Sequence, residues 1–171
     1  KILTLAAALL LPARLLHALY NGRQFNPNAL ATVIFSSGST GVPKGVMLSH
    51  HNLLSNLEAI AQIFSLGHED CFLGVIPFFH SFGLTVNLWL PLTAGFGAVY
   101  HPNPIDAKAI GELARRYKAT VLCSTPTFYA AYVRRISTQE FSTLRYAIAG
   151  AEKLRAPVAG AFKDTYGLDL L

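Results

Sequence analysis

The 171-residue sequence predicts an α/β fold with a mostly parallel sheet flanked by helices. Three observations carry that prediction. Short apolar and β-branched runs alternate with helix-period stripes from residue 29 onward. Apolar residues make up 52% of the chain and charged residues only 13%, about half of the roughly 25% usual for soluble domains. Strands covered on both faces need few charges, and no Lys, Arg, Asp or Glu occurs from Cys71 to Ile105, in the middle of the alternating region.

The elements follow in order. Leu15, Leu16, Leu19 and Tyr20 share one helical face, with Arg14 and His17 off it. Such a stripe fits either a packing helix or a helix lying on a membrane surface. Asn21 to Asn28 is a turn-rich linker, so residues 1–28 read as an N-terminal helix and linker. Ala31 to Phe35 carries a buried-strand signal, and a Ser/Gly/Thr loop follows. From the N-cap candidate Ser49, the positions Leu53, Leu54, Leu57, Ile60, Ala61 and Phe64 form a helix stripe. Cys71 to Ile76 reads as a strand, Gly83 to Leu92 as a buried helix and Phe96 to Tyr100 as a strand. Asp106 caps a helix whose Ile110, Leu113, Ala114 and Tyr117 should face inward. Ala119 to Cys123 and Leu144 to Ala149 read as strands, Thr127 to Ile136 and Leu154 to Tyr166 as helices, and Leu168 to Leu171 as the start of another strand.

Composition excludes several classes. Disorder needs low hydrophobicity and high charge, and a disulfide scaffold needs more than Cys71 and Cys123. Both cysteines sit in apolar runs and read as small core residues, compatible with a cytosolic, reducing setting. The net charge of +5 is modest and forms no run along the sequence, so nucleic-acid binding is not expected. His50-His51 has no metal partner at suitable spacing, and no metal site is predicted. His101 and Asp106 have the spacing of a His base with an orienting carboxylate. They lie between a strand and a helix cap, with Pro102 and Pro104 holding the chain extended, and read as structural. The chain starts at Lys1 and ends in an apolar run, so it reads as an internal piece of a larger protein.

The most informative stretch is Phe35-Ser36-Ser37-Gly38-Ser39-Thr40-Gly41-Val42-Pro43-Lys44-Gly45, expected between a strand and a helix. Small hydroxyl residues and glycines let backbone N–H groups approach an anion, and Lys44 adds positive charge. It is not a Walker A loop, because Gly45 follows Lys44 where Ser or Thr would be needed. Its glycine spacing is not the dinucleotide fingerprint either.

This loop resembles the phosphate-binding signature of the adenylate-forming (AMP-binding) superfamily. Pro77-Phe78-Phe79-His80-Ser81-Phe82-Gly83 is similar to that superfamily's second core motif, and Ala149-Gly150-Ala151-Glu152-Lys153-Leu154 to the segment lining adenine and acyl group. The resemblance implies that residues 29–171 are a partial AMP-binding domain, part of the N-terminal domain of such an enzyme. It implies that Ser36, Ser37, Gly38, Ser39, Thr40, Gly41 and Lys44 hold ATP phosphates. It places Gly150, Ala151 and Glu152 beside adenine, and makes His80 the catalytic residue bordering the carboxylate. The small Gly150 and Ala151 would let a flat ring lie on the backbone.

The implied chemistry is attack of a carboxylate on the α-phosphate of ATP, with magnesium on the phosphates, and then thioester formation. No acid lies between Cys71 and Ile105 to pair an amino-acid ammonium, and a buried unpaired ammonium is costly. A fatty acid or an aryl acid is expected instead. Leu11 to Leu16, Pro77 to Trp89, Tyr100 to Pro104, Asp106 to Leu113 and Leu144 to Tyr146 resemble the bacterial acyl–acyl-carrier-protein synthetases. Those are often fused to a 2-acylglycerophosphoethanolamine acyltransferase. That branch implies a fatty acid, acyl-carrier-protein or CoA as acceptor, and a location in the cytoplasm or at the cytoplasmic face of the inner membrane. The superfamily's aromatic-Gly-x-Thr-Glu motif has no counterpart in Tyr166-Gly167-Leu168-Asp169. The 171-residue chain alone is therefore expected to be inactive. The competing class is a non-catalytic nucleotide-binding module.

Overall fold

A computed structural model describes residues 11–20, 26–36 and 41–171. The elements in chain order are α1 (Ala13–Tyr20), β1 (Leu30–Ser36), β2 (Lys44–Ser49), α2 (His50–Ile63) and β3 (Cys71–Gly74). A continuous helical path follows: α3 (Ser81–Gly83), a π-helical stretch Leu84–Trp89 and α4 (Leu90–Ala94). Then come β4 (Gly97–Tyr100), α5 (Ala107–Tyr117), β5 (Val121–Ser124), α6 (Pro126–Tyr132), β6 (Tyr146–Ala149) and α7 (Ala156–Tyr166).

The main sheet is parallel throughout, in the order β4-β3-β5-β6. Each crossover is helical, as parallel pairing requires. Alternate residues of each strand feed opposite cores. Leu73, Leu122 and Ala147 join Ile110, Ala114, Tyr129, Tyr132 and Phe162 under α5, α6 and α7. Phe72, Val121 and Cys123 join Leu57, Val86 and Leu90 on the other face. Burial on both faces explains why β5 is fully enclosed and why burial pushes the Cys123 thiol up to about 12. Cys71, expected in the core, is only half-buried, because it starts its strand at the rim.

The starting ends of the strands are pinned by one buried carboxylate. Asp70, 2% exposed, accepts from Thr120 Oγ1 at 2.6 Å, Arg145 Nη1 at 2.9 Å and the Gly67 N–H at 2.9 Å. Thr120 Oγ1 in turn accepts from the Cys71 N–H. The two helix starts marked in the sequence, at Ser49 and Asp106, are capped as their residues predict. The Ser49 side chain accepts from Asn52 N–H while Asn52 Oδ1 accepts from Ser49 N–H. Asp106 Oδ1 accepts from the Ala109 N–H. Lys118 ends α5 in the left-handed region with φ +51°.

Four expectations change. β2 was not foreseen, since Val46-Met47-Leu48 is too short a run to stand out beside Gly45. It pairs antiparallel with β1 from Leu30↔Ser49 to Ser36↔Lys44, so the glycine-rich loop joins two strands of a hairpin rather than a strand and a helix. The hairpin is also far from buried: Phe35 is 72% and Met47 70% exposed, because among the described residues nothing covers that face. Tyr117 turns outward, 48% exposed, with the Arg116 guanidinium 5.4 Å from its ring centroid. It lies in the last turn, past the stripe formed by Ile110 and Ala114. Finally, Leu168 to Leu171 forms only a parallel bridge from Leu170 to Ala147. Among the described residues no helix is long and apolar enough to cross a membrane.

Candidate functional site

In an open parallel sheet, ligands bind outside the carboxyl ends of the strands. The sequence motifs converge there. Gly74 ends β3 and leads through Val75 to His80; Ser124 ends β5; Ala149 ends β6 and leads into Gly150. The Gly150 N–H donates to the Ser124 carbonyl at 3.0 Å, which fixes the two ends against each other.

His80 is the N-cap of α3, and its Nδ1 accepts from the Phe82 N–H at 3.2 Å. With Nδ1 used as an acceptor, the ring hydrogen belongs on Nε2, which is left to face a ligand. The loop before it is held tightly. Asn87, fully buried in the π-helical stretch, donates from Nδ2 to the Ile76 carbonyl at 2.7 Å. The Tyr100 hydroxyl donates to the Asn87 carbonyl at 2.8 Å. Gly83 lies so close to the Pro77 carbonyl that a Cβ would collide with it. A π-helical stretch of this kind is often found at functional sites, and here it lets α3 start under the His80 loop.

Between this loop and the hairpin lies an open cavity of about 540 Å³, walled by Ile34, Ser36, Val46 and Leu48 on one side and Phe79, His80 and Ser81 on the other. The structure thus brings Ser36 and His80, far apart in sequence, to one opening. Lys44 is the register partner of Ser36 and is exposed. Gly41 has φ +77° and open space where a Cβ would stand. Ser37, Gly38, Ser39 and Thr40 lie outside the described residues. The flanks of the loop that are described carry groups of the kind that suit an anion: the Ser36 hydroxyl in the cavity wall, the Lys44 cation on the paired strand and the open backbone of Gly41.

The third motif sits differently. Phe82 lies against Gly150, its ring occupying the place a Cβ would take. The flat ring that the small residue admits is thus one of the chain's own. Ala151 takes φ +66°, a left-handed conformation that costs a non-glycine residue on the order of 1 kcal/mol. Glu152 turns away from the Ser36–His80 cavity. Its Oε2 accepts from Thr127 Oγ1 at 2.6 Å, and that bond holds its carboxyl below the usual range. Glu152 lines a separate polar cavity with Thr127, Lys153 and Arg155. Sequence reasoning missed Thr127 as its partner; nothing in Pro126-Thr127 marks it.

An apolar cavity of about 370 Å³ lies on the other side of the His80 loop, walled by Gly74, Ile76, Phe78, Phe79, Tyr100 and His101. His101 Nε2 and Asp106 Oδ2 are 3.6 Å apart, too far for a hydrogen bond. Among the described residues no three His, Cys, Asp or Glu side chains converge on a cation site.

Comparison with known proteins follows the same outline. The profile of the AMP-binding enzyme family matches residues 9–171. A p-hydroxybenzoic acid–AMP ligase of Mycobacterium marinum is 28% identical over 141 residues, covering 82% of this chain and 20% of the relative. A long-chain-fatty-acid–CoA ligase of Bacillus subtilis is 30% identical over 142 residues, covering 81% of this chain and 25% of the relative. Among solved structures, ATP-bound MatB from Rhodopseudomonas palustris superposes with a TM-score of 0.78 at 29% identity, covering 86% of this chain and 29% of that one. The chain therefore spans about a quarter of the length of the relatives it matches.

Proposed function

The chain belongs to the AMP-binding enzyme family, and from that premise we propose that its protein activates a fatty acid with ATP and passes the acyl group to a thiol. Acyl-carrier-protein or CoA is the acceptor. The observation that carries this reading is the meeting of Ser36 and His80 at one cavity, with an apolar cavity behind the His80 loop. In the first half-reaction the carboxylate oxygen attacks the α-phosphate and pyrophosphate leaves. Ser36, the open Gly41 backbone and Lys44 hold phosphate oxygens. The Nε2–H of His80 orients the carboxylate, and the apolar walls exclude water from the mixed anhydride. A thiol then displaces AMP. Magnesium would accompany the ATP phosphates and offset their negative charge. The apolar walls support an uncharged acyl group, and the relatives include both fatty-acid and hydroxybenzoic-acid ligases.

Fatty-acid-dependent ATP–pyrophosphate exchange by the full-length protein tests the proposal, with p-hydroxybenzoate as the competing acid. Exchange with the fatty acid, lowered about 100-fold or more in His80→Ala, is the expected result. Exchange with the aryl acid alone overturns the fatty-acid reading, and no exchange with either overturns the function.

A further inference from the structure

The net charge of +5 has a location in the fold. Residues 107–136 hold Lys108, Arg115, Arg116, Lys118, Arg134 and Arg135 against a single acid, Glu112, which accounts for the whole excess. The remaining cations and acids, eight of each, cancel. All six of these cations are exposed, and none takes part in an ion pair among the described residues.

The fold gathers them on one layer. Ala107, Ile110, Gly111 and Ala114 are the buried side of α5, so Lys108, Arg115 and Arg116 share its outer side with Glu112. Gly111 packs against Ile136 and Glu140, which sets the segment carrying Arg134 and Arg135 beside α5. The nearby acids are weak counterweights. Glu140 is held by the N–H and hydroxyl of Ser137, and Asp169 by Lys163; Asp106 caps α5 and Asp164 is exposed on α7. None of the six cations lines any of the cavities described above, so a small anion has no enclosed place here. Tyr117, 48% exposed, lies beside Arg116, whose guanidinium is 5.4 Å from its ring centroid; an exposed aromatic side chain among cations suits a headgroup region.

We propose that the outer face of α5 and the adjoining Arg134–Arg135 segment dock the protein on an anionic lipid surface. Three of the six cations lie at the C-terminal end of α5, the end away from the reactive edge of the sheet. A carrier protein bound there could not present its thiol at His80, whereas a membrane bound there would leave the site open. The inference deepens the proposed function by naming a partner, and its readout needs no catalysis.

The test is sedimentation of the full-length protein with phosphatidylcholine vesicles, with and without phosphatidylglycerol. The expected result is binding only to the anionic vesicles, abolished by about 1 M salt. Each cation near such a surface changes partition about fivefold. Arg115→Gln/Arg116→Gln/Arg134→Gln/Arg135→Gln should therefore lower binding about 100-fold or more, with an unchanged circular dichroism spectrum. A control, Lys1→Gln/Arg14→Gln/Arg23→Gln, should retain most of it. Equal binding to neutral vesicles, no binding to anionic vesicles, retention on polyglutamate or DNA alone, or loss in the control but not in the α5 variant would each overturn the proposal.

Discussion

Substitution of Gly150 by alanine probes the one place where two sequence motifs touch. An ideal Cβ at position 150 lands on the Phe82 ring, with the Cζ, Cε2 and Cε1 atoms all closer than real contacts allow. The ring has little room to retreat, because Phe82 packs against both hydrophobic clusters. The backbone of Gly150 is equally restrained by its hydrogen bond to the Ser124 carbonyl. Overpacking a site of this kind costs about 1–3 kcal/mol, or roughly 2–10 °C in Tm for a chain of 171 residues. Phe82→Leu, which shortens the ring, costs about 1 kcal/mol by itself. The double variant should then be more stable than the two single losses predict, by at least about 1 kcal/mol. Urea unfolding followed by fluorescence of the single tryptophan, Trp89, reads all three variants. Additivity within about 0.5 kcal/mol would refute the contact as the cause.

Two further predictions follow from buried and exposed carboxylates. Asp70→Ala leaves Thr120 and the Gly67 N–H without their acceptor and should destabilise by roughly 2–3 kcal/mol; the value is discounted because Arg145 is 42% exposed and regains water. A loss under about 1 kcal/mol by chemical denaturation would contradict the pinning role. Thr127→Val removes the hydroxyl that lowers the Glu152 carboxyl, so NMR titration should find that carboxyl moved upward. A folded-state value below the unfolded one contributes stability that is present above the unfolded value and lost as pH falls through the folded one. The wild-type chain should therefore lose this contribution on acidification and Thr127→Val should show less of that loss.

Much of this architecture is written locally. The parallel strands are short apolar runs that any order of packing would bury, and Ser49 and Asp106 announce their helices because a side-chain oxygen beside free N–H groups acts within one turn. The flanks of the glycine-rich loop and the His80 motif are legible for the same reason, since residue type and spacing carry their chemistry. Other features have no local signal. β2 exists because β1 offers it an edge, and Glu152 faces Thr127 rather than the Ser36–His80 cavity because the left-handed turn at Ala151 redirects the chain.

By itself, then, the sequence determined the alternation of strands and helices, the small and hydroxyl-bearing composition of the glycine-rich loop, and the charge-free stretch whose strand and helix residues supply part of the interior. Only the tertiary structure decided that Ser36 meets His80, that Phe82 takes the surface of Gly150, and that cations scattered through residues 107–136 share one layer. These depend on which strand lies beside which and how each crossover returns. Such long-range pairings are set by the packing of the whole sheet and leave no mark in any short window of residues.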